Sequence, residues 1–397
     1  MNRAVIVDVV RTATGRGKQG GALAGVHPVD LSAHVLRALL ERNGLESAQI
    51  DDVLWGTVSQ AGDQSMNIAR GAVLAAGFDE TVPATTIDRQ CGSSQQAAHF
   101  AAQGVMAGAY DIVIAGGVES MSRVPLGSAS TGGQPFSPGL LARYPEGLVG
   151  QGISAELIAS KWGFGRERLD AFSVESHRRA AQAMDEGRFD SAVIPVTVSD
   201  QEGLAYEHVR DETVRADTTP EGLAGLCPSF YDREIAGRYP DIQWSVTPGN
   251  SSPLTDGASA VLIMSERRAA ALGLTPRGYF HSFAVVADDP LYMLTGPIPA
   301  TRRILDRSGL AFADLDAYEV NEAFASVPLA WLTEFEADPD RLNPWGGAIA
   351  LGHALGSSGT RLLGTMLTYL EATGGRYGLQ TMCEGGGMAN ATIIERL

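Results

Sequence analysis

Residues 91–117 read CGSSQQAAHFAAQGVMAGAYDIVIAGG, and residues 355–387 read LGSSGTRLLGTMLTYLEATGGRYGLQTMCEGGG. Each passes through Gly-Ser-Ser, a helical stretch, an apolar strand and a run of glycines. The shared succession points to an internal duplication of one α/β unit. Strands alternate with helices elsewhere too. Ala4 to Val10 reads as a buried strand, and Asp30 as the cap of a helix carrying Leu31, Val35, Leu36, Leu39 and Leu40 that stops at Asn43-Gly44. Val53–Val58 and Asp111–Ala115 read as strands and Met66–Ala76 as a helix. In the second half, Pro297–Arg307 and Ser357–Ala372 read as helices, and Ala317–Val320 and Leu379–Cys383 as strands. This alternation predicts a parallel sheet with helices on its faces.

Between the repeats, residues 126–248 are richer in Gly, Pro, Ser and charge, as in GSASTGGQPFSPG, although Leu169–Met184 keeps a helical pattern. Long excursions of this kind usually carry lids or binding surfaces. The expected organisation is therefore an N-terminal half over 1–125, completed by about 249–270, an inserted loop domain over 126–248, and a C-terminal half over 271–397.

At 397 residues the chain has room for two or three compact units. Hydrophobic residues make up 44% and charged residues 19%, as in soluble globular proteins. The apolar run AVIVDVV is too short for a secretory leader, and no stretch approaches a membrane span. The expected location is the cytoplasm. A net charge of -16 argues against nucleic acid or an anionic membrane as the main partner. Three cysteines, Cys91, Cys227 and Cys383, are too few and odd in number for a disulfide framework. Cys227 is expected to be structural.

Gly15-Arg-Gly17-Lys-Gln-Gly20 fits the dinucleotide fingerprint, which also requires a helix to open at those glycines. The next residues, GALAGVHPVD, delay any helix to near Leu31. A flexible loop is the favoured reading, with a nicotinamide oxidoreductase as the alternative.

Cys91 stands where a helix is about to begin. There the helix dipole and unpaired amides favour a thiolate and lower the thiol pKa. A small cysteine that merely packs is an equally good reading of the segment. A nucleophilic cysteine needs a base. His34, His99 and His177 fall inside helical patterns. His353 falls in GGAIALGHALGSSG, at a joint that matches Cys91 if the duplication holds. The two joints could then face each other across a pseudo-symmetric seam, with Cys383 in the same crevice.

Taken in order, RTATGRGKQGGAL, CGSSQQA, GGVESMS, TPGNSSPLTDGA, GPIPA, NEAFA, GGAIALGHALGSSG and CEGGGMANA resemble the thiolases, a family that comprises the acetyl-CoA acetyltransferases and 3-ketoacyl-CoA thiolases. The resemblance covers essentially the whole chain. It implies a layered α/β/α/β/α fold of duplicated α/β domains, with the insert binding coenzyme A. It also implies that Cys91 accepts the acyl group, that His353 activates it and supplies part of an oxyanion site, and that Cys383 is the general acid/base. Asn321 would hold a water that stabilises the enolate oxygen, although a helix N-cap would also suit it. The backbone N–H groups of Cys91 and Gly385 would form a second oxyanion hole. Arg215 would lie near the nucleotide phosphates, Ser252 beside the pantetheine, Leu226 and Phe230 near the adenine, and Met293 near the thioester. Plainer readings are a surface Arg215 paired with Asp211 or Glu212, and a simple turn at Ser252.

The implied reaction cleaves a 3-ketoacyl-CoA with coenzyme A to acetyl-CoA (or propionyl-CoA) and a shortened acyl-CoA, through an acyl-cysteine, as in fatty acid β-oxidation. Coenzyme A is a substrate, and no cofactor or metal is bound permanently. A homodimer or homotetramer is expected. Some positions depart from the family pattern. Ala354 follows His353 where proline is usual, Glu384 follows Cys383 where an apolar residue is usual, and Ala389 replaces a frequent glycine. Gly150-Gln151 stands where short-chain biosynthetic members often carry His-Met, which would widen the acyl pocket for long or sterol-like chains. Alternatives are a biosynthetic acetoacetyl-CoA-forming acetyltransferase, a decarboxylating ketoacyl synthase, and a non-catalytic acyl-CoA or lipid carrier.

Overall fold

The computed structural model describes residues 3–200 and 202–397. Its main elements begin with strand β1 (Ala4–Thr12), helix α1 (Pro28–Asn43), β2 (Asp52–Gly56), α2 (Ile68–Ala75), β3 (Ala84–Ile87), α3 (Ser93–Ala107) and β4 (Ile112–Ser120). A long stretch follows with α4 (Gln151–Trp162), α5 (Arg166–Asp185) and the hairpin β5 (Val196–Ser199) and β6 (Ala205–His208). Strand β7 (Thr255–Ser265) returns to the sheet. The remaining elements are β8 (Gly278–Ala287), α6 (Pro297–Ser308), β9 (Ala317–Val320), α7 (Ser326–Phe335), α8 (Ala348–Leu351), α9 (Ser358–Thr373), β10 (Tyr377–Glu384) and β11 (Met388–Arg396).

The strands run β9-β10-β11-β8-β1-β7-β4-β2-β3. Within each half the pairing succession is the same. β1 pairs antiparallel with β7, β7 antiparallel with β4, and β4 parallel with β2. β8 pairs antiparallel with β11, β11 antiparallel with β10, and β10 parallel with β9. The duplication is thus present in the topology. The sheet is mixed, not parallel. The long stretch before β7 and the tight Gly385–Gly387 turn before β11 each bring a strand back antiparallel, which local alternation could not foretell.

Among the described residues, the halves are joined on the sheet only at Val5↔Tyr279 and Ile6↔Gly278. Their real union is helical. Helices α3 and α9 pack on each other, and each touches strands of both halves. A buried cluster of Ala97, Ala101, Val105, Leu363, Met366 and Leu370 fills this layer together with Ile6, Val113 and Ile394. Separate apolar clusters lie under α1 and α2 on one outer face and under α6 and α7 on the other. The order of layers is helix, sheet, helix, sheet, helix, as the resemblance implied.

Local chemistry explains where the elements begin. α1 is capped by His27, whose ring accepts from the Val29 N–H, and Pro28 opens the helix. Asp30 lies in the first turn and is not the cap. Gly44 in the left-handed region ends the helix. α2 starts later than its apolar pattern suggested, because Met66 and Asn67 both adopt positive φ. No helix opens at Gly15–Gly20, which disposes of the dinucleotide fingerprint.

Three glycines set how closely the halves approach. Gly56 ends β2, Gly117 lies inside β4, and Gly356 precedes α9. A Cβ on Gly117 would collide with the Gly356 carbonyl oxygen and lie 2.6 Å from that of Gly56. A Cβ on Gly356 would lie 2.5 Å from the Gly56 oxygen, and one on Gly56 would lie 2.6 Å from the Ser93 carbonyl carbon. Buried Glu119 fastens the same seam, accepting from the backbone N–H groups of Val58, Ser59 and Gly356 and from Gln64 Nε2 at 2.8–3.0 Å. Gly117→Ala is expected to destabilise the fold by about 3 kcal/mol or more, since backbone cannot yield as a side chain can. Urea unfolding measures this, and an unchanged midpoint would contradict the seam.

Candidate active site

The seam places two joints against each other. On one side, the loop before α3 presents Cys91, which is 2% exposed and packs with Met121, Leu355, Leu362 and Met382. Gln90, just before it, is held at φ +48°. On the other side, Gly352 turns the chain after α8, and His353 follows with its N–H bonded to Thr255 Oγ1 at 2.9 Å. Asn321, directly after β9, and Cys383, near the end of β10, complete the group. Both are buried.

The histidine tautomer follows from its partners. Ser358 Oγ donates to the Ala354 carbonyl at 2.8 Å. Its lone pair must therefore accept from His353 Nδ1, 2.7 Å away, so Nδ1 carries the proton. Nε2 is left as a base, and Asn321 Nδ2 lies 3.3 Å from it. The Asn321 side chain and the Ala323 N–H also lie near the Cys383 sulfur, short of hydrogen-bond geometry, and moderate the rise of its pKa. Asn321 is not a helix cap, because α7 begins at Ser326 with Ala325 at its cap. Gly385 lies beside Gln90, whose Oε1 would be 2.8 Å from a Cβ at that position. The N–H groups of Cys91 and Gly385 donate to no backbone carbonyl among the described residues.

The electrostatics correct one expectation. Cys91 precedes Gly92, the α3 cap, and burial pushes its thiol well above the ordinary range. Nearby Cys383 and Glu384 add to the rise. Desolvation outweighs the helix end, so the thiol rests protonated. Burial, helped by Arg361, lowers His353 to about 3, and it rests neutral. Burial pushes Cys383 up to about 12, so it too holds its proton.

The positions implied for coenzyme A divide into two sets. Ser252 gives both its N–H (3.0 Å) and its hydroxyl (3.1 Å) to the Ala323 carbonyl, which ties it to the Asn321 loop. Phe230 packs edge-on against Phe324 at 5.9 Å, and Met293 is buried in the cluster that contains Cys383 and Phe324. Arg215 and Leu226 lie out on the surface. Asp211 is taken by Arg11 and Glu212 by Arg16, which overturns the proposed Arg215 pairing. Arg215 forms no ion pair among the described residues, and its N–H bonds His177. Cys227 is exposed, which overturns a packing role. The sequence reading missed Ser358 and Thr255 as partners of His353. The repeated Gly-Ser-Ser was a visible sign of the former.

With Nδ1–H fixed by Ser358 and its charged form disfavoured, His353 is expected to stay neutral as pH falls from 8 to 5. Nitrogen NMR of 15N-histidine-labelled protein reads this. A His353 titration near the ordinary histidine value of 6.5 would contradict it.

The chain matches the profile of the thiolase N-terminal domain over residues 4–267 and that of the thiolase C-terminal domain over 274–396. It is 49% identical to the steroid 3-ketoacyl-CoA thiolase FadA6 of Mycobacterium tuberculosis, covering all of this chain and 95% of the relative. It is 43% identical to a 3-ketoacyl-CoA thiolase of Cronobacter sakazakii, over the full length of both. The crystal structure of the Bacillus anthracis acetyl-CoA acetyltransferase superposes with a TM-score of 0.89 at 36% identity, covering 100% of this chain and 99% of that one. With its two halves, its seam and its cysteine–histidine–cysteine site, the chain belongs to the thiolase family of acyltransferases.

Proposed function

We propose that the protein is a degradative thiolase that cleaves 3-ketoacyl-CoA thioesters, with Cys91 as nucleophile. The convergence of Cys91, His353, Asn321 and Cys383 in one buried seam carries this reading. The Cys91 sulfur attacks the 3-keto carbon as its proton passes to His353 Nε2, the nitrogen that Ser358 leaves unprotonated. The transfer accompanies attack because neither group is charged at rest. The N–H groups of Cys91 and Gly385 stabilise the oxyanion. Collapse breaks the C2–C3 bond, and acetyl-CoA (propionyl-CoA from a 2-methyl substrate) leaves as an enolate steadied by a water on Asn321. Cys383, which holds its proton up to about pH 12, protonates the enolate carbon. Coenzyme A, deprotonated by Cys383, then takes the acyl group from Cys91. Ser252, Phe230 and Met293 line the path of the pantetheine arm. Arg215 and Leu226 serve the nucleotide end, on the segment 126–248.

A bulky, sterol-like acyl chain is favoured by one feature. An open cleft of about 820 Å³ is lined by Val149, Gly150, Ile153, Phe230 and Ile235 among others, and Phe230 leads from it to the Asn321 loop. A Cβ at Gly150 would meet nothing within 4 Å, so the residue adds open space to the cleft. A relative named for steroid substrates supports the same reading. No helix among the described residues is long and apolar enough to cross a membrane, and a cytoplasmic homo-oligomer is proposed. The edge strand β3, exposed Met66 in the loop before α2 and exposed Phe100 on α3 support assembly.

Mixing the enzyme with a 3-ketoacyl-CoA in the absence of coenzyme A is expected to release acetyl-CoA and leave an acyl group on Cys91, seen by intact mass and peptide mapping. Cys91→Ala is expected to abolish the adduct and lower turnover by roughly 10³-fold or more. An adduct elsewhere, or none, would overturn the assignment. Ring-bearing substrates are expected to react at least as efficiently as acetoacetyl-CoA. Turnover of acetoacetyl-CoA alone would overturn the bulky-chain reading.

A further inference from the structure

Glu384 follows Cys383 and is fully buried, yet neither carboxyl oxygen has a hydrogen-bond partner. The Asn390 backbone N–H comes near it, short of hydrogen-bond geometry. Asn390 Oδ1, from the paired strand β11, is also buried and unpartnered. Both groups converge on one point. A Cβ on Gly92 would collide with Glu384 Oε1 and lie 2.7 and 2.9 Å from Asn390 Nδ2 and Oδ1. Two facing acceptors in a dry site demand a proton between them.

We infer that Glu384 is a positioning residue for the nucleophile, a neutral acid that donates to Asn390 and braces the Cys91 loop from behind. The brace is a chain of hydrogen bonds. Asn390 Nδ2 donates to the Gly92 carbonyl at 3.0 Å. The next peptide N–H, from Ser93, donates to the Gln90 carbonyl at 3.0 Å, and the Ser93 hydroxyl donates to it at 2.6 Å. That carbonyl shares its peptide with the Cys91 N–H, the proposed oxyanion donor. Each link polarises the next, and together they hold Gln90 at its positive φ. Burial raises the Glu384 carboxyl to about 9 despite Arg89, which keeps the acid neutral at working pH. The charged and titratable groups facing it are Asp88, Arg89 and Cys91 from the loop before α3, and Cys383 from its own strand. His99 on α3 bonds Thr392 instead. Once ionised, the carboxylate would hold protons on both thiols and close the site.

This inference rests on the thiolase reading, and three variants test it. Glu384→Gln keeps a neutral donor. Its kcat is expected to stay within about threefold of wild type, since a neutral hydrogen bond replaces a neutral one. Its activity should persist above pH 9, where the wild type declines. Glu384→Leu orphans the Asn390 amide and should lose kcat by roughly 10- to 100-fold with KM unchanged. Glu384→Leu with Asn390→Leu removes both partners and should recover most of that loss. Cys91 alkylation by iodoacetamide, which needs no acyl-CoA, should run faster in Glu384→Gln than in wild type at pH 10. The inference is overturned if Glu384→Gln falls as far as Glu384→Leu, if Glu384→Leu matches wild type, or if Glu384→Gln keeps the wild-type alkaline decline. Failure of wild type to acylate Cys91 would instead sink the thiolase reading, and the alkylation ratios would still judge the brace.

Discussion

The architecture turns on a contact that has no side chains in it. Gly56, Gly117 and Gly356 bring three stretches of backbone so close that one methyl group would separate them. Glu119 ties the same stretches by hydrogen bonds to both halves. Because the contact is backbone on backbone, it fixes distances more tightly than apolar packing, which can repack. The duplicated units therefore meet in one register. The loop before α3 and the loop before α9 end face to face, and a cysteine on one side acquires a histidine on the other.

That closeness has an electrostatic consequence. The seam is dry, so charge is disfavoured on every group in it. Cys91 and Cys383 are pushed up and His353 is pushed down. The resting site is a set of neutral proton donors and acceptors whose order is set by hydrogen bonds, with Ser358 dictating which imidazole nitrogen is free. In the proposed mechanism, charge appears only when a substrate carbonyl takes it up. Stabilisation of the developing oxyanion by backbone N–H groups then counts for more than it would in water.

Much of this was legible in the chain. The Gly-Ser-Ser repeat pointed to the duplication, and the strand expected at Ala317–Val320 matches β9 residue for residue. Other features depend on what lies opposite. Gly116-Gly117 reads as the end of a strand, yet β4 continues to Ser120, since those glycines serve the seam from inside the ladder. The strand at Leu379–Cys383 reads as apolar. Yet one of its faces sets Gln380 and Glu384, with Asn390 and Thr392 of β11, against Gln95 and His99 of α3 in a buried polar layer. No periodicity reveals such a partner. The helix N-terminus just after Cys91 suggested an activated thiolate, because sequence shows the dipole and hides the desolvation. Arg215 was easy to name, but its carboxylate neighbours were claimed by Arg11 and Arg16 from distant strands.

The claim on which the rest depends is that the nucleophile rests as a neutral thiol beside a neutral imidazole. A pH titration of ultraviolet thiolate absorbance, taken as the difference between wild type and Cys91→Ser, reads this directly. The account predicts no thiolate signal from Cys91 at neutral pH, with absorbance rising only above about pH 9, the ordinary thiol value. A signal already complete at or below neutral pH would mean that the helix end or an imidazolium partner prevails over burial, and the neutral seam would be wrong.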